Sequence, residues 1–332
     1  MEPTLLGRRA FLTFLGCALA SRPVPSFAQQ KTVRTVGVLM GFARDADTQA
    51  RAKAFEQGLE KEGWTIGEDL RIEYRFSGGD VKRMRAIADE FVKLKPDCLL
   101  GQSTPVVEAL THATRSIPIV FVAVTDPIGS KFVASMARPG GKVTGFTIIQ
   151  ASMTAKYVSM LREIIPQLTR VALMYNPESA TGKVFLPSFL DAAKVYKIEA
   201  TTIRVQNAAE IELGITNLAG KPHVGLIIVP DNFVIVHREL IVSLTARYRI
   251  PAIYPYRYFT EAGGLLSYGV DAVDLFRRAS VYVSRILRGA NPGNLPVQAP
   301  TKFELVINLK TAKELGLTIP RVLLAGANAI IQ

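Results

Sequence analysis

A chain of 332 residues, 48% of them hydrophobic, exceeds one ordinary domain and has enough apolar side chains for two cores. Its formal net charge of +12 raises nucleic acid as a partner. The basic residues, however, are scattered over amphipathic stretches such as Lys82-Arg83-Met84-Arg85, with no helix-turn-helix, zinc spacing or aromatic ribonucleoprotein motif, so they read as a solvated surface and no nucleic-acid partner is expected.

The first segment reads as an export signal. Arg8 and Arg9 precede an apolar run to Ala20, far short of the ~20 apolar residues of a membrane span. With the small-x-small pattern Ser26-Phe27-Ala28, this describes a signal peptide over residues 1–28, cleaved near Ala28. Arg8-Arg9 followed by Phe11-Leu12 resembles a twin-arginine signal. A second reading, a lipoprotein signal with Cys17 as the lipidated residue, has support from Leu15-Gly16-Cys17, but the apolar stretch before it is very short. Cleavage leaves roughly 300 residues, no further stretch of membrane-spanning length, and an expected place in the periplasm. It also leaves Cys98 as the only cysteine, so no intramolecular disulfide is expected. Within Asp97-Cys98-Leu99-Leu100, that thiol reads as buried and inert.

The remaining chain alternates β-rich runs with amphipathic ones. Val36-Gly37-Val38-Leu39-Met40 reads as a parallel strand buried on both faces. The next stretch puts Ala50, Ala54, Phe55, Gly58 and Leu59 on one helical face. Leu70 to Phe76 alternates like a strand nearer a sheet edge; a helix from about Asp80 to Lys93, a strand at Cys98, a helix from about Pro105 and a strand Ile117 to Val122 follow. The pattern then recurs. Arg34 to Met40 is echoed by Thr169 to Tyr175, Lys95 to Leu100 by Lys221 to Ile228, and Ile117 to Phe121 by Ile250 to Tyr254, at a nearly constant spacing of roughly 130 residues. Such strand–helix alternation means βαβ units. The expected fold is α/β: two similar doubly wound parallel-sheet lobes joined by a multi-segment hinge, with residues 31–146 plus 268–299 in lobe 1 and 147–267 plus 300–332 in lobe 2. Val143-Thr144-Gly145-Phe146 and Gly264 to Gly269 are the expected crossings. A helix carrying Leu275, Ala279, Tyr282, Val283, Ile286 and Leu287 returns to the first lobe, and Phe303 to Asn308 is a late strand. A hinge of several segments permits closure around a ligand.

Ligands of open α/β sheets bind beyond the carboxyl ends of the strands. In this sequence those positions are the loops Gly41–Asp45, Gly101–Pro105, Ala123–Pro127, Asn176–Ala180, Pro230–Phe233 and Pro255–Tyr258. Ser103 and Thr104 open a predicted helix, where free N–H groups suit a carboxylate; they could equally be plain N-caps. Asp126, Asp231 and Asp271 are candidates for an ammonium group, or caps of the helices they precede. Phe42, Phe233, Tyr254, Tyr256 and Tyr268 lie on or beside the same rim and could stack on a flat solute. Enzyme motifs are missing: there is no G-x-S-x-G elbow, phosphate loop or G-x-G-x-x-G, and His112, His223 and His237 lack metal-ligand spacing. Asp45 and Asp47 read as a polar loop. No catalytic residue, metal or cofactor is expected.

Several segments together resemble the ABC-transporter substrate-binding family that includes tryptophan- and tyrosine-uptake binding proteins. They are Gly37–Gly41, Gly63-Trp64, Arg71–Arg75, Asp126–Gly129, Ala137–Gly141, Gly263–Gly269 and Pro300–Lys313. The resemblance implies a type I periplasmic binding protein fold, a small solute held between lobes, a partner permease with its ATPase, and a monomer that captures the solute without altering it. It places Ser103, Thr104, Thr125 and Asp126 in first-lobe loops that meet the ligand, and Asn176, Asp231, Tyr254 and Asp271 at the cleft edge of the second lobe and hinge. Aromatic amino acids are the family's best-known solutes, and Phe42 and Tyr256 favour a flat one. The alternatives are a hydrolase using the same cleft and a sensory ligand-binding protein.

Overall fold

The computed structural model describes residues 33–148 and 153–332. The signal elements Arg8, Arg9, Cys17 and Ala28 lie outside the described residues. The apolar run after Val33 forms β1 (Arg34–Met40), and α1 (Ala46–Lys61) follows a capping box in which Asp45 and Thr48 satisfy each other's backbone N–H. Then come β2 (Leu70–Phe76), α2 (Val81–Leu94), β3 (Cys98–Gln102), α3 (Thr104–Ala113), β4 (Ile119–Val124) and β5 (Val143–Thr147). These five strands are parallel, in the order β2-β1-β3-β4-β5, so β2 is the edge its alternating pattern suggested.

The chain reaches the second lobe at α4 (Met153–Ile164). There it builds β6 (Arg170–Tyr175), α5 (Ala180–Val195), β7 (Glu199–Arg204), α6 (Ala208–Thr216), β8 (Val224–Ile228), α7 (Asn232–Val236), α8 (Arg238–Arg247), β9 (Ala252–Tyr254), α9 (Arg257–Glu261) and β10 (Leu266–Val270). It returns with α10 (Ala272–Leu287) and finishes with β11 (Phe303–Asn308), α11 (Leu309–Glu314), α12 (Arg321–Ala325) and β12 (Ala329–Ile331). The second sheet runs β12-β11-β10-β9-β8-β6-β7, parallel except where β10 meets β11. Its segment β7-β6-β8-β9-β10 repeats the order of the first sheet, and the echoed sequences occupy equivalent strands: β1 with β6, β3 with β8, β4 with β9.

Two expected crossings are placed differently. Val143 to Phe146 lies in β5, hydrogen-bonded to β4, and Leu266 to Gly269 lies in β10, between β9 and β11. Residues 268–270 therefore belong to the second sheet, and the chain passes over at Asp271. Each crossing segment is built into a sheet strand, β5 or β10, so its composition does not distinguish sheet from hinge. Beside β5, Gln298 forms an isolated bridge to Phe146 and exchanges backbone hydrogen bonds with Gly145 and Thr147.

Each sheet is covered on both faces. In the first lobe α1 and α10 share a core with Val36, Val38 and Met40, and α2 and α3 share the opposite one with Leu39 and Leu99. In the second, Val171, Leu173 and Tyr175 of β6 face α4 and α5, whereas Ala172 and Met174 face the helices α6 to α9. The buried face of α1 holds Ala54, Phe55, Gly58 and Leu59 as expected, but Ala50 is exposed and Arg51 is buried in its place. Among the described residues no helix is long and apolar enough to cross a membrane.

Gly58 sits where α1 and α10 meet, and a Cβ there would collide with Ser280 Oγ. Gly→Ala inside an open helix gains about 1 kcal/mol. Gly58→Ala should instead cost about 1–3 kcal/mol through overpacking, read by denaturant unfolding. A gain would show that the two helices have room to spare. Cys98 is fully buried, and burial, followed by the Asp97 charge, pushes its thiol up to about 12. It should resist a disulfide reagent in the folded protein and react stoichiometrically in denaturant; rapid labelling of the native chain would contradict its place in β3.

Candidate functional site

The parallel strands of both lobes end on edges that face each other, and several side chains meet across the gap. Thr125, after β4, and Thr181, in the first turn of α5, share a buried hydroxyl–hydroxyl hydrogen bond of 2.9 Å. Asn232, which opens α7, donates from Nδ2 to Ser103 Oγ at 3.1 Å. Arg238 Nη2, on α8, donates to Asp45 Oδ2 at 3.2 Å. Phe42, from the loop after β1, packs among core residues of the second lobe. The lobes are therefore in contact, and the cleft is closed.

Ser103 holds the N-cap position of α3 but makes no side-chain cap. Its φ of 85° and ψ of 157° lie in a region that non-glycine residues rarely enter, at a cost of order 1–3 kcal/mol. Ala123, one strand over, has φ 60°. Both outliers sit where first-lobe strands turn into the gap. Gly41 provides the room: a Cβ on it would press against Ser103 Oγ at 2.8 Å and Gln102 O at 3.0 Å.

The expected site residues divide into two groups. Phe42, Ser103, Thr104, Thr125 and Tyr256 gather along the closed cleft. Thr104 Oγ1 accepts from Thr125 N at 3.3 Å, and Tyr256 stacks on Tyr258 at 5.4 Å between ring centres. Tyr268 forms a wall with Phe303 (5.8 Å, stacked) and Tyr157 (6.2 Å, edge-on). The acids and amides serve backbone first. Asp126 accepts from Gly129 N at 2.7 Å, Asp231 from Phe233 N at 2.9 Å, Asp271 from Asp274 N at 2.9 Å, and Asn176 Oδ1 from Glu178 N at 3.0 Å. Asp231 is 2% exposed, and its burial raises its carboxyl against the lowering contacts of Ser179, Val234 and Phe233. Tyr254 is set behind the cleft: its hydroxyl shares a 2.7 Å hydrogen bond with Thr245, and its ring stacks on Phe259 at 5.1 Å. Strand β9 ends at this residue, and its side chain points to the helix-covered face rather than past the strand end.

The sequence reading missed several groups. Gln102 Oε1, Tyr157 OH and Tyr258 OH are buried without a hydrogen-bond partner, a costly condition for a polar atom. Burial raises the Tyr157 hydroxyl, helped by nearby Tyr256 and Tyr268; burial also pushes Tyr256 up to about 12. These phenols stay protonated and able to donate. Gln102 and Asn232 fell within the strand-end loops, so position alone could have found them. Tyr157 and Thr181 lie inside helices beyond those loops, where no local signal marks them. Among the described residues, no group of three or more His, Cys, Asp or Glu is placed to hold a metal ion.

The Asp45–Arg238 pair has a pH signature. Burial alone would raise the Asp45 carboxyl, but the Thr48 N–H and hydroxyl, then Arg238 and Arg51, bring it below its usual value. A carboxyl lowered on folding contributes stability that is complete above its unfolded value of about 3.9 and is lost as pH falls through the lower folded value. Arg238→Ala should therefore shift the acid end of the stability curve towards higher pH, with less than about 1 kcal/mol lost at pH 7 for so partly exposed a pair. Thermal melts from pH 2 to 7 check this; superimposable acid limbs would remove the ion pair from the closed state.

A family model described as ABC transporter substrate binding protein matches residues 35–331. A "Tyrosine-binding protein" of Clostridioides difficile is 29% identical over 80% of this chain and 76% of its own length. Among solved structures, a conserved domain protein from Vibrio cholerae is 29% identical, with a TM-score of 0.83 over 90% of this chain and 100% of its own. An ABC domain in complex with L-Trp from Streptococcus pneumonia is 27% identical, with the same TM-score and coverage.

Proposed function

The chain belongs to the ABC transporter substrate-binding protein family, and from that premise we propose that it captures an aromatic amino acid between its lobes and presents it, unaltered, to a permease and ATPase. The family implies a non-enzymatic binding role, a small-molecule ligand, transporter partners and a place outside the cytoplasm. The observation that carries the solute class is the closed cleft. It sets an aromatic wall of Tyr157, Tyr268 and Phe303, with Tyr256 nearby and the Tyr157 hydroxyl buried without a partner. A flat side chain fits such a wall, because rigid rings supply contact area at little entropic cost. Similarity to a tyrosine-binding protein and to a complex with L-Trp supports the same reading.

The proposed contact set is Phe42, Ser103, Thr104, Thr125, Tyr256 and Tyr268, with Asn176, Asp126, Asp231 and Asp271 shaping the loops around it. Tyr254 acts from behind the cleft, through its hydrogen bond to Thr245 and its stacking on Phe259. Residues 1–28 act as a twin-arginine signal read through Arg8 and Arg9 and removed after Ala28, and the mature protein works as a monomer in the periplasm. Lobe 1 comprises 31–146 with the return segment up to 299, and lobe 2 the rest, with β10 assigned to the second sheet it pairs in.

Isothermal titration of the mature protein with L-tyrosine, L-tryptophan and L-phenylalanine should give saturable one-to-one binding of at least one of them, recovered unchanged by mass spectrometry. Ser103→Ala, which removes the acceptor for Asn232, and Tyr268→Ala, which opens the wall, should each weaken it about tenfold or more, or about 1.4 kcal/mol, with melting temperatures kept. Chemical conversion of the solute, or no binding of any of the three, would defeat the reading.

A further inference from the structure

One buried cation in the cleft has acidic neighbours, Asp45 and Asp47, but no ion-pair partner in contact with it among the described residues. Arg51, on the second turn of α1, is 5% exposed. Its guanidinium reaches across the gap to lie over the Tyr258 ring of α9, 5.9 Å from the ring centre. It makes no hydrogen bond and no ion pair among the described residues. The other arginine over that ring, Arg238 at 5.3 Å, is paired with Asp45. Asp47, one turn before Arg51 on the same helix, lies outside ion-pair distance, and burial raises its carboxyl even against the Arg51 charge. A guanidinium has five donors and stays charged, and burying it unpaired costs several kcal/mol. A cation–π contact returns about 0.5–2 kcal/mol of that. The Tyr258 hydroxyl on the same ring is also buried and without a partner.

The other place expected to take an anion is already engaged. Ser103 Oγ is held by Asn232, Thr104 Oγ1 accepts from Thr125 N, and Pro105 supplies no N–H at the start of α3. We propose that Arg51 is the anion anchor of the inter-lobe site, so that the solute is an acid whose carboxylate lies against the Arg51 guanidinium when the lobes close. The inference rests on the cleft being the solute site, as proposed above. The planar fork matches a carboxylate bidentately, and because Arg51 comes from one lobe and Tyr258 from the other, the anion also ties the lobes together. Neutral and cationic analogues leave the guanidinium buried and unmatched, which makes Arg51 a specificity determinant as well as a contact.

The test uses the mature chain and matched probes in titration calorimetry and thermal shift: L-tyrosine, its carboxamide, tyramine and 3-(4-hydroxyphenyl)propionate, with the corresponding indole series. The acids should bind about a hundredfold more tightly than the amides and amines, the scale of removing one member of a buried charge pair. Arg51→Gln should lower acid affinity by a similar factor and erase the distinction between acid and amide, and Arg51→Lys should restore part of both. Should Arg51→Gln fail to fold, the wild-type comparison of acid with amide decides alone. Binding of the propionate without the amino acid keeps the anchor and removes the amino-acid reading. Tyramine or the carboxamide binding as tightly as L-tyrosine keeps the cleft and overturns the anchor. Undiminished acid binding by a folded Arg51→Gln, or no binding by any acid, overturns it as well.

Discussion

Parallel pairing is the constraint from which the rest of this molecule follows. Strands joined by right-handed helical crossovers all end on one edge of their sheet, so every loop after a strand opens in the same direction. Two such sheets with the same strand order, linked so that those edges face each other, make a cleft without any element devoted to it. Ser103, Thr125, Asn232 and Tyr256 meet because each follows the carboxyl end of a strand, although they are far apart in the chain.

Closure adds a second layer. Among the described residues the lobes touch through hydrogen bonds of ordinary length, a partly exposed ion pair and aromatic contacts, none of them individually strong. The Thr125–Thr181 bond joins two hydroxyls, each able to turn to water when the lobes part. The unusual backbone at Ser103 and Ala123 is held by the sheet behind it, with Ser103 N bonded to Val122 O. Weak bridging contacts on a rigid platform suit a molecule that has to close on a solute and later release it.

Fold class, strand order by internal echo, the edge position of β2 and the capping acids were legible because each depends on local chemistry: apolar runs, alternation, Asp or Ser before a helix. The crossings were less so, since β5 and β10 are built from the same residues whether they pair or bridge. Strand-end position brought Ser103, Thr104 and Thr125 to the closed cleft, but placed Tyr254 on the rim when its side chain faces the core. Arg51 was invisible for the opposite reason. An arginine in an amphipathic helix normally faces water, and only the arrival of Tyr258 from α9, some two hundred residues later, buries it.

Helix α10 is encoded after the whole second lobe yet covers a face of the first sheet, where Leu275, Phe276 and Val283 pack with Val36, Phe55 and Leu100. As the polypeptide emerges from the ribosome, the first sheet therefore waits with one apolar side bare until Leu287 has been made. A truncated chain ending before Ala272 would expose a sticky surface to chaperones and proteases rather than persist as a free-standing half.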